Sequence, residues 1–119
     1  MIFSYQKLDS NIKIETSSQI RKRVNLARKI QIERYSPYSI YSNSELTPNL
    51  IEKYCKLDTS SKIILQKSFE KLGLSARAYH RILKVSRTIA DLDGKEQIEA
   101  KHIAEAIQYR NLDRKYWKN

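Results

Sequence analysis

Apolar residues return every three or four positions along most of the chain, the spacing that lines one face of an α-helix, and they predict five helices. The first covers about Ser17 to Tyr35, with Ile20, Val24, Ala27 and Tyr35 on one stripe and Thr16 and Gln19 at capping-box spacing. Residues 36–46, carrying Pro37, several serines and Asn43, read as a loop. A short second helix follows at about Pro48 to Cys55, capped by Thr47, with Leu46 placed to staple onto Ile51. The third covers about Thr59 to Leu72. Asp58 caps it, Leu65, Phe69 and Leu72 form its apolar face, and Gly73 offers a left-handed stop. The fourth runs from about Ala76, after the cap Ser75, to Leu92, with Gly94 just beyond. Two adjoining stripes, Ala78-Ile82-Val85-Ile89-Leu92 and Tyr79-Leu83-Ser86-Ala90, give it the broad apolar face of a central helix. The fifth covers about Ala100 to Arg110, with Ile103, Ala106 and Ile107 inward, and residues 113–119 read as a polar tail. Residues 1–16 alternate weakly between apolar and polar and read as an extended lead-in, so the bundle itself spans 17–112.

Composition agrees with an all-α fold: two glycines and two prolines in 119 residues leave little material for the turns of a β-rich chain. This length suits one domain. A single cysteine, Cys55, excludes an internal disulfide and points to a reducing cytoplasm, with the thiol packed beside Ile51 and Tyr54. No apolar run approaches the roughly 20 residues that span a bilayer, so a membrane role is not expected.

Charge changes the picture more. Twenty-three lysines and arginines against 13 acids leave a net +10, which favours polyanions over other partners. Two places concentrate it. On the first helix Arg21, Lys22, Arg28, Lys29 and Arg34 are offset chiefly by Glu33, with Tyr35, Tyr38 and Tyr41 following; basic residues beside aromatics suit nucleic acid. On the fourth, Arg77 occupies the first turn and shares a face with His80, Arg81, Lys84 and Thr88. A helix start carries free amides and partial positive charge, so stability favours acids there, and an arginine in that position suits binding of a phosphate group. Without other information a solvated basic face is the plainer reading of the fourth helix, and a solvated face or a subunit contact that of the first.

The stretch LSARAYHRILKVSRTIADLDG at 74–94 and HIAEAIQYR at 102–110, with SSQIRKRVNLARKIQ at 17–31, NSEL at 43–46 and CKLD at 55–58, resembles the C-terminal domain of magnesium-chelatase-like AAA+ ATPases, the ComM/YifB group. The resemblance covers nearly the whole chain. It implies the helical lid of an AAA+ module, with Ser75-Ala76-Arg77 similar to the sensor-2 motif, whose arginine reaches the γ-phosphate of ATP. Arg81 and Lys84 become secondary candidates for nucleotide or interface contacts. The implied partners are the protein's own upstream ATPase core and neighbouring subunits in a ring. Some relatives are associated with DNA branch migration and others with metal insertion, so DNA stands as a candidate partner and what the parent remodels stays open.

The chain itself has no phosphate loop of the form GxxxxGK[ST], because Gly73 and Gly94 lie too far apart. It reads as the excised C-terminal piece of a longer protein, not an enzyme alone, with ATP and Mg2+ expected only in the full-length parent. His80, His102 and Cys55 match no zinc spacing, and Asp91, Asp93 and Glu96 around Gly94 make an incomplete calcium loop that reads as a solvated helix end. Two alternatives remain: a free-standing basic nucleic-acid binder, and a protein-interaction bundle.

Overall fold

A computed structural model describes residues 15–116, with side chains to residue 111. Among these residues five α-helices form the domain: α1 (Ser17–Arg34), α2 (Pro48–Tyr54), α3 (Thr59–Leu72), α4 (Ala76–Leu92) and α5 (Ala100–Tyr116). The segment between α1 and α2 holds two 3-10 turns, Ser36–Tyr38 and Asn43–Glu45.

The helix starts follow local chemistry. Thr16 and Gln19 form a reciprocal capping box on α1. Asp58 accepts the Ser61 amide at 2.8 Å and Ser75 accepts the Ala78 amide at 3.1 Å. Gly73 ends α3 at φ 62°, a left-handed position in which a side chain would be strained. α5 continues six residues past Arg110, because residues 111–116 contain neither glycine nor proline to stop it.

α4 is the central helix. It packs against α5, α1, α2 and the Asn43–Glu45 turn, while α3 packs on α5. Its buried residues Ile82, Leu83 and Ala90 join Tyr35, Leu46, Ile51, Leu65, Ile98, Ile103 and Ala106 in one core. Burying such side chains supplies the main stabilising term, at roughly 25 cal/mol per Å² of apolar surface.

Three expectations need correction. Ile20 is exposed, and none of the first ten residues of α1 is fully buried, with Arg23 and Val24 half-buried; only Ala27 and Gln31 of that helix are buried in the bundle. Phe69 and Leu72 lie at the rim, where Phe69 meets Tyr79 edge to face at 5.9 Å. Asp91 is not a solvated helix end; it is 4% exposed. The expected lead-in over residues 1–14 lies outside the described residues.

Candidate functional site

The face of α4 that carries Arg77, Arg81, Lys84 and Thr88 divides into two halves. The carboxy-terminal half is a seat for the loop after α1. Lys84 Nζ donates to the Ser44 carbonyl at 3.2 Å, and Thr88 Oγ1 accepts from Asn43 Nδ2 at 3.0 Å. Asn43 is buried. Its amide donates to Gln31 Oε1 at 3.0 Å, its Nδ2 also donates to Asp91 at 3.0 Å, and its Oδ1 accepts the Tyr35 hydroxyl.

Asp91 is the anchor of this half. Arg34 grips its two oxygens at 2.8 and 3.0 Å, and Arg87, one turn earlier on α4, lies 3.1 Å from the same carboxylate. Arg87 donates further to the carbonyls of Lys95 and Glu96. Burial opposes the Arg34 charge, yet the hydrogen bonds to Asp91 and Tyr35 outweigh it and raise the guanidinium pKa. Arg34, a candidate for nucleic-acid contact on sequence grounds, is therefore committed inside the protein, with its side chain 17% exposed.

The amino-terminal half is different. Arg77 and Arg81 are exposed, and neither makes a hydrogen bond or ion pair with any described residue. No acid occupies the first turn of α4. Together with Ser75 and Ala78 the two arginines line a groove closed on its far side by Ala106, Tyr109 and Arg110 of α5. A cation at a helix start works against the macrodipole by a few tenths of a kcal/mol, so Arg77 adds nothing to the stability of its own helix. What the arrangement offers is a positive, open-sided surface for an anion presented by another body. Sequence reasoning passed over Tyr109 and Arg110 as site residues, although they end the HIAEAIQYR stretch that carries the resemblance; the link between them and Arg77 is tertiary.

The other candidates separate as well. Arg21, Lys22, Arg28 and Lys29 of α1 are exposed, without ion pairs among the described residues. Of the tyrosines that follow, Tyr35 is wholly buried, Tyr38 packs against Tyr54 and Lys53, and Tyr41 alone is open, at 63% exposure. Burial pushes the Cys55 thiol up to about 11, which keeps it protonated and inert. His102 is buried and spends both ring nitrogens. Nδ1 accepts the Glu99 amide at 2.9 Å, which places the proton on Nε2, and Nε2 donates to Asp93 at 2.9 Å. Among the described residues no three His, Cys, Asp or Glu side chains gather as metal ligands, and no helix is long and apolar enough to cross a membrane.

Comparison with known proteins decides the family. Residues 14–110 match the family described as magnesium chelatase, subunit ChlI C-terminal. This chain belongs to that family. It is 52% identical over 100 residues to the competence protein ComM of Haemophilus influenzae, and 39% identical over 100 residues to the uncharacterized protein YifB of Escherichia coli. Both matches cover 84% of this chain and 19% of the relative, so the chain spans about a fifth of the length of these relatives. A Salmonella typhimurium YifB is 40% identical over the same share. The resemblance read from the sequence and the all-helical fold thus describe one magnesium-chelatase-type C-terminal domain.

Proposed function

We propose that this domain is the lid of an ATPase whose nucleotide-holding core is another part of the same polypeptide, and that Arg77 meets the γ-phosphate of ATP bound by that core, in its own subunit or across an interface. The observation that carries this reading is an exposed arginine without an ion pair in the first turn of a 17-residue helix, where stability alone would favour an acid. A guanidinium stays charged and holds phosphate oxygens in a planar fork, so it suits a group on which negative charge grows during transfer. Arg81, one turn further along, extends the same surface toward the nucleotide or a neighbouring subunit of a ring. ATP and Mg2+ would be supplied by the core; the lid contributes charge and position.

The test is Arg77→Ala in the full-length protein that carries this domain, read as steady-state ATP turnover. Removing one preorganised electrostatic contact to a developing charge costs about 10²–10³ in rate in comparable sites. Turnover at the unmodified rate would refute the proposed role of Arg77.

A further inference from the structure

We propose that Tyr38 is a nucleophilic phenol, set up by Lys53 and Tyr54, and a site at which an activated acyl donor modifies this domain. The three residues come together from two elements. Tyr38 closes the 3-10 turn Ser36–Tyr38, in which Pro37 presets the backbone and the Tyr38 amide donates to the Tyr35 carbonyl at 2.9 Å. Lys53 and Tyr54 end α2. Lys53 Nζ donates to the Tyr38 hydroxyl oxygen at 2.9 Å, and the hydroxyls of Tyr38 and Tyr54 lie 3.1 Å apart. The ammonium also stands 5.6 Å from the centre of the Tyr38 ring and 5.4 Å from that of Tyr54. Lys53 makes no ion pair with a described carboxylate, so its charge is directed at the two phenols.

The geometry selects which phenol ionises. Loss of the Tyr38 proton leaves a phenolate facing an ammonium donor and the Tyr54 hydroxyl, and both contacts favour the charged form. The hydrogen bond from Lys53, then that from Tyr54, hold Tyr38 below the ordinary phenol range, while the same contact with Tyr38 raises Tyr54. Among the described residues, Lys53 and Tyr54 are the charged and titratable groups that face Tyr38. The other described phenols lack this arrangement. Tyr35 is buried and donates to Asn43, Tyr79 meets Phe69 edge to face, and Tyr41 and Tyr109 are exposed with no lysine or arginine bonded to the hydroxyl. In the reaction Tyr38 first loses its proton to water. The phenolate oxygen then bonds to the acyl carbon as the bond from that carbon to its leaving group breaks, and the leaving group departs with the electron pair and takes a proton from water. Lys53 stays protonated beside the phenolate, and the contact that raises its pKa keeps it from competing for the acyl group. The product is an aryl ester, a weaker partner for the ammonium, so modification loosens the polar tie between the turn after α1 and α2.

The test is acetylation of the whole chain by limiting N-acetylimidazole, read at each tyrosine by peptide mass spectrometry across a pH range that brackets the ordinary phenol pKa of about 10. Tyr38 should be acetylated faster than the more exposed Tyr41 and Tyr109, and its rate should level off at lower pH than theirs. A less basic phenolate is also a weaker nucleophile. By the balance that governs thiolates, each tenfold rise in phenolate fraction therefore leaves about a threefold gain in rate. Lys53→Met should remove the advantage of Tyr38 and move its inflection upward, and Tyr54→Phe should do the same in smaller measure. Lys56→Met, at another exposed lysine of the same region, should leave the Tyr38 rate unchanged. Tyr38→Phe should abolish the hydroxylamine-labile label on that peptide. Circular dichroism checks the fold of each variant, and the pH profile of the unmodified chain tests the proposal without any substitution. Three results would overturn it: Tyr38 reacting no faster than Tyr41 and Tyr109, an unchanged Tyr38 rate in Lys53→Met, or a hydroxylamine-resistant label on Lys53 in place of Tyr38.

Discussion

Arg77 and Arg87 stand on one helix, separated by under three turns, and meet opposite fates. Arg87 is 4% exposed and donates to two carbonyls while pairing with Asp91; Arg77 is exposed and touches no described hydrogen-bond or ion-pair partner. The carboxy-terminal end of α4 uses its charges to fasten the loop after α1 and the turn before α5. The amino-terminal end keeps its charges in reserve. The contrast separates cations that hold the fold from cations that the fold holds out. By this criterion Arg34 and Arg87 are structural, Lys84 is partly committed through Ser44, and Arg77 and Arg81 are available.

The largest effect should come from cutting the fastened end. Asp91→Ala leaves Arg34 and Arg87 without their shared carboxylate. Breaking a buried ion pair from one side costs about 3–5 kcal/mol, which would lower the melting temperature of a domain this size by at least about 12 °C. Loss of under about 1 kcal/mol by thermal or urea melting would erase the distinction between the two ends.

A smaller effect should appear on acidification. The Asp93 carboxyl is held below the usual range by the hydrogen bond from His102 and then by Lys101, and Asp58 is lowered by the Ser61 amide it caps. A carboxylate whose folded pKa is depressed contributes stability that is complete above its ordinary pKa near 4 and is lost as pH falls through the folded value. Stability should therefore decline below about pH 4, and an Asp58→Asn/Asp93→Asn variant should show a flatter curve there. An unchanged curve would mean that neither interaction favours the folded state.

The smallest effect should come from the open end. Arg77→Ala and Arg81→Ala should each leave the domain's stability within about 0.5 kcal/mol of the unmodified protein, as exposed residues without partners do. A loss comparable to that of Asp91→Ala would place Arg77 among the structural arginines.

Much of this was legible in the sequence, and the boundary has a physical cause. Caps act within three residues, so Thr16, Thr47, Asp58 and Ser75 could be read directly. The central position of α4 followed from the breadth of its apolar face. What stayed hidden were polar groups buried by distant partners. Arg34 looked like a free cation because Asp91 lies 57 residues away, and Asn43 read only as a loop residue because its bond to Asp91 spans 48 residues. Periodicity also cannot tell whether a stripe finds a neighbour, which is why Ile20 was assigned inward and stands exposed. Arg77 was noticed for a different reason: it breaks a local rule about helix starts, and its surroundings provide no compensation.

The most direct measurement is the ratio of ATP to ADP affinity in the full-length protein with and without Arg77→Ala. The two nucleotides differ by the γ-phosphate, and a hydrogen bond to a charged group is worth about 1.5–3 kcal/mol. The account predicts that the substitution weakens ATP by about tenfold or more while ADP affinity stays nearly constant. Equal weakening of both nucleotides, or of neither, would contradict it.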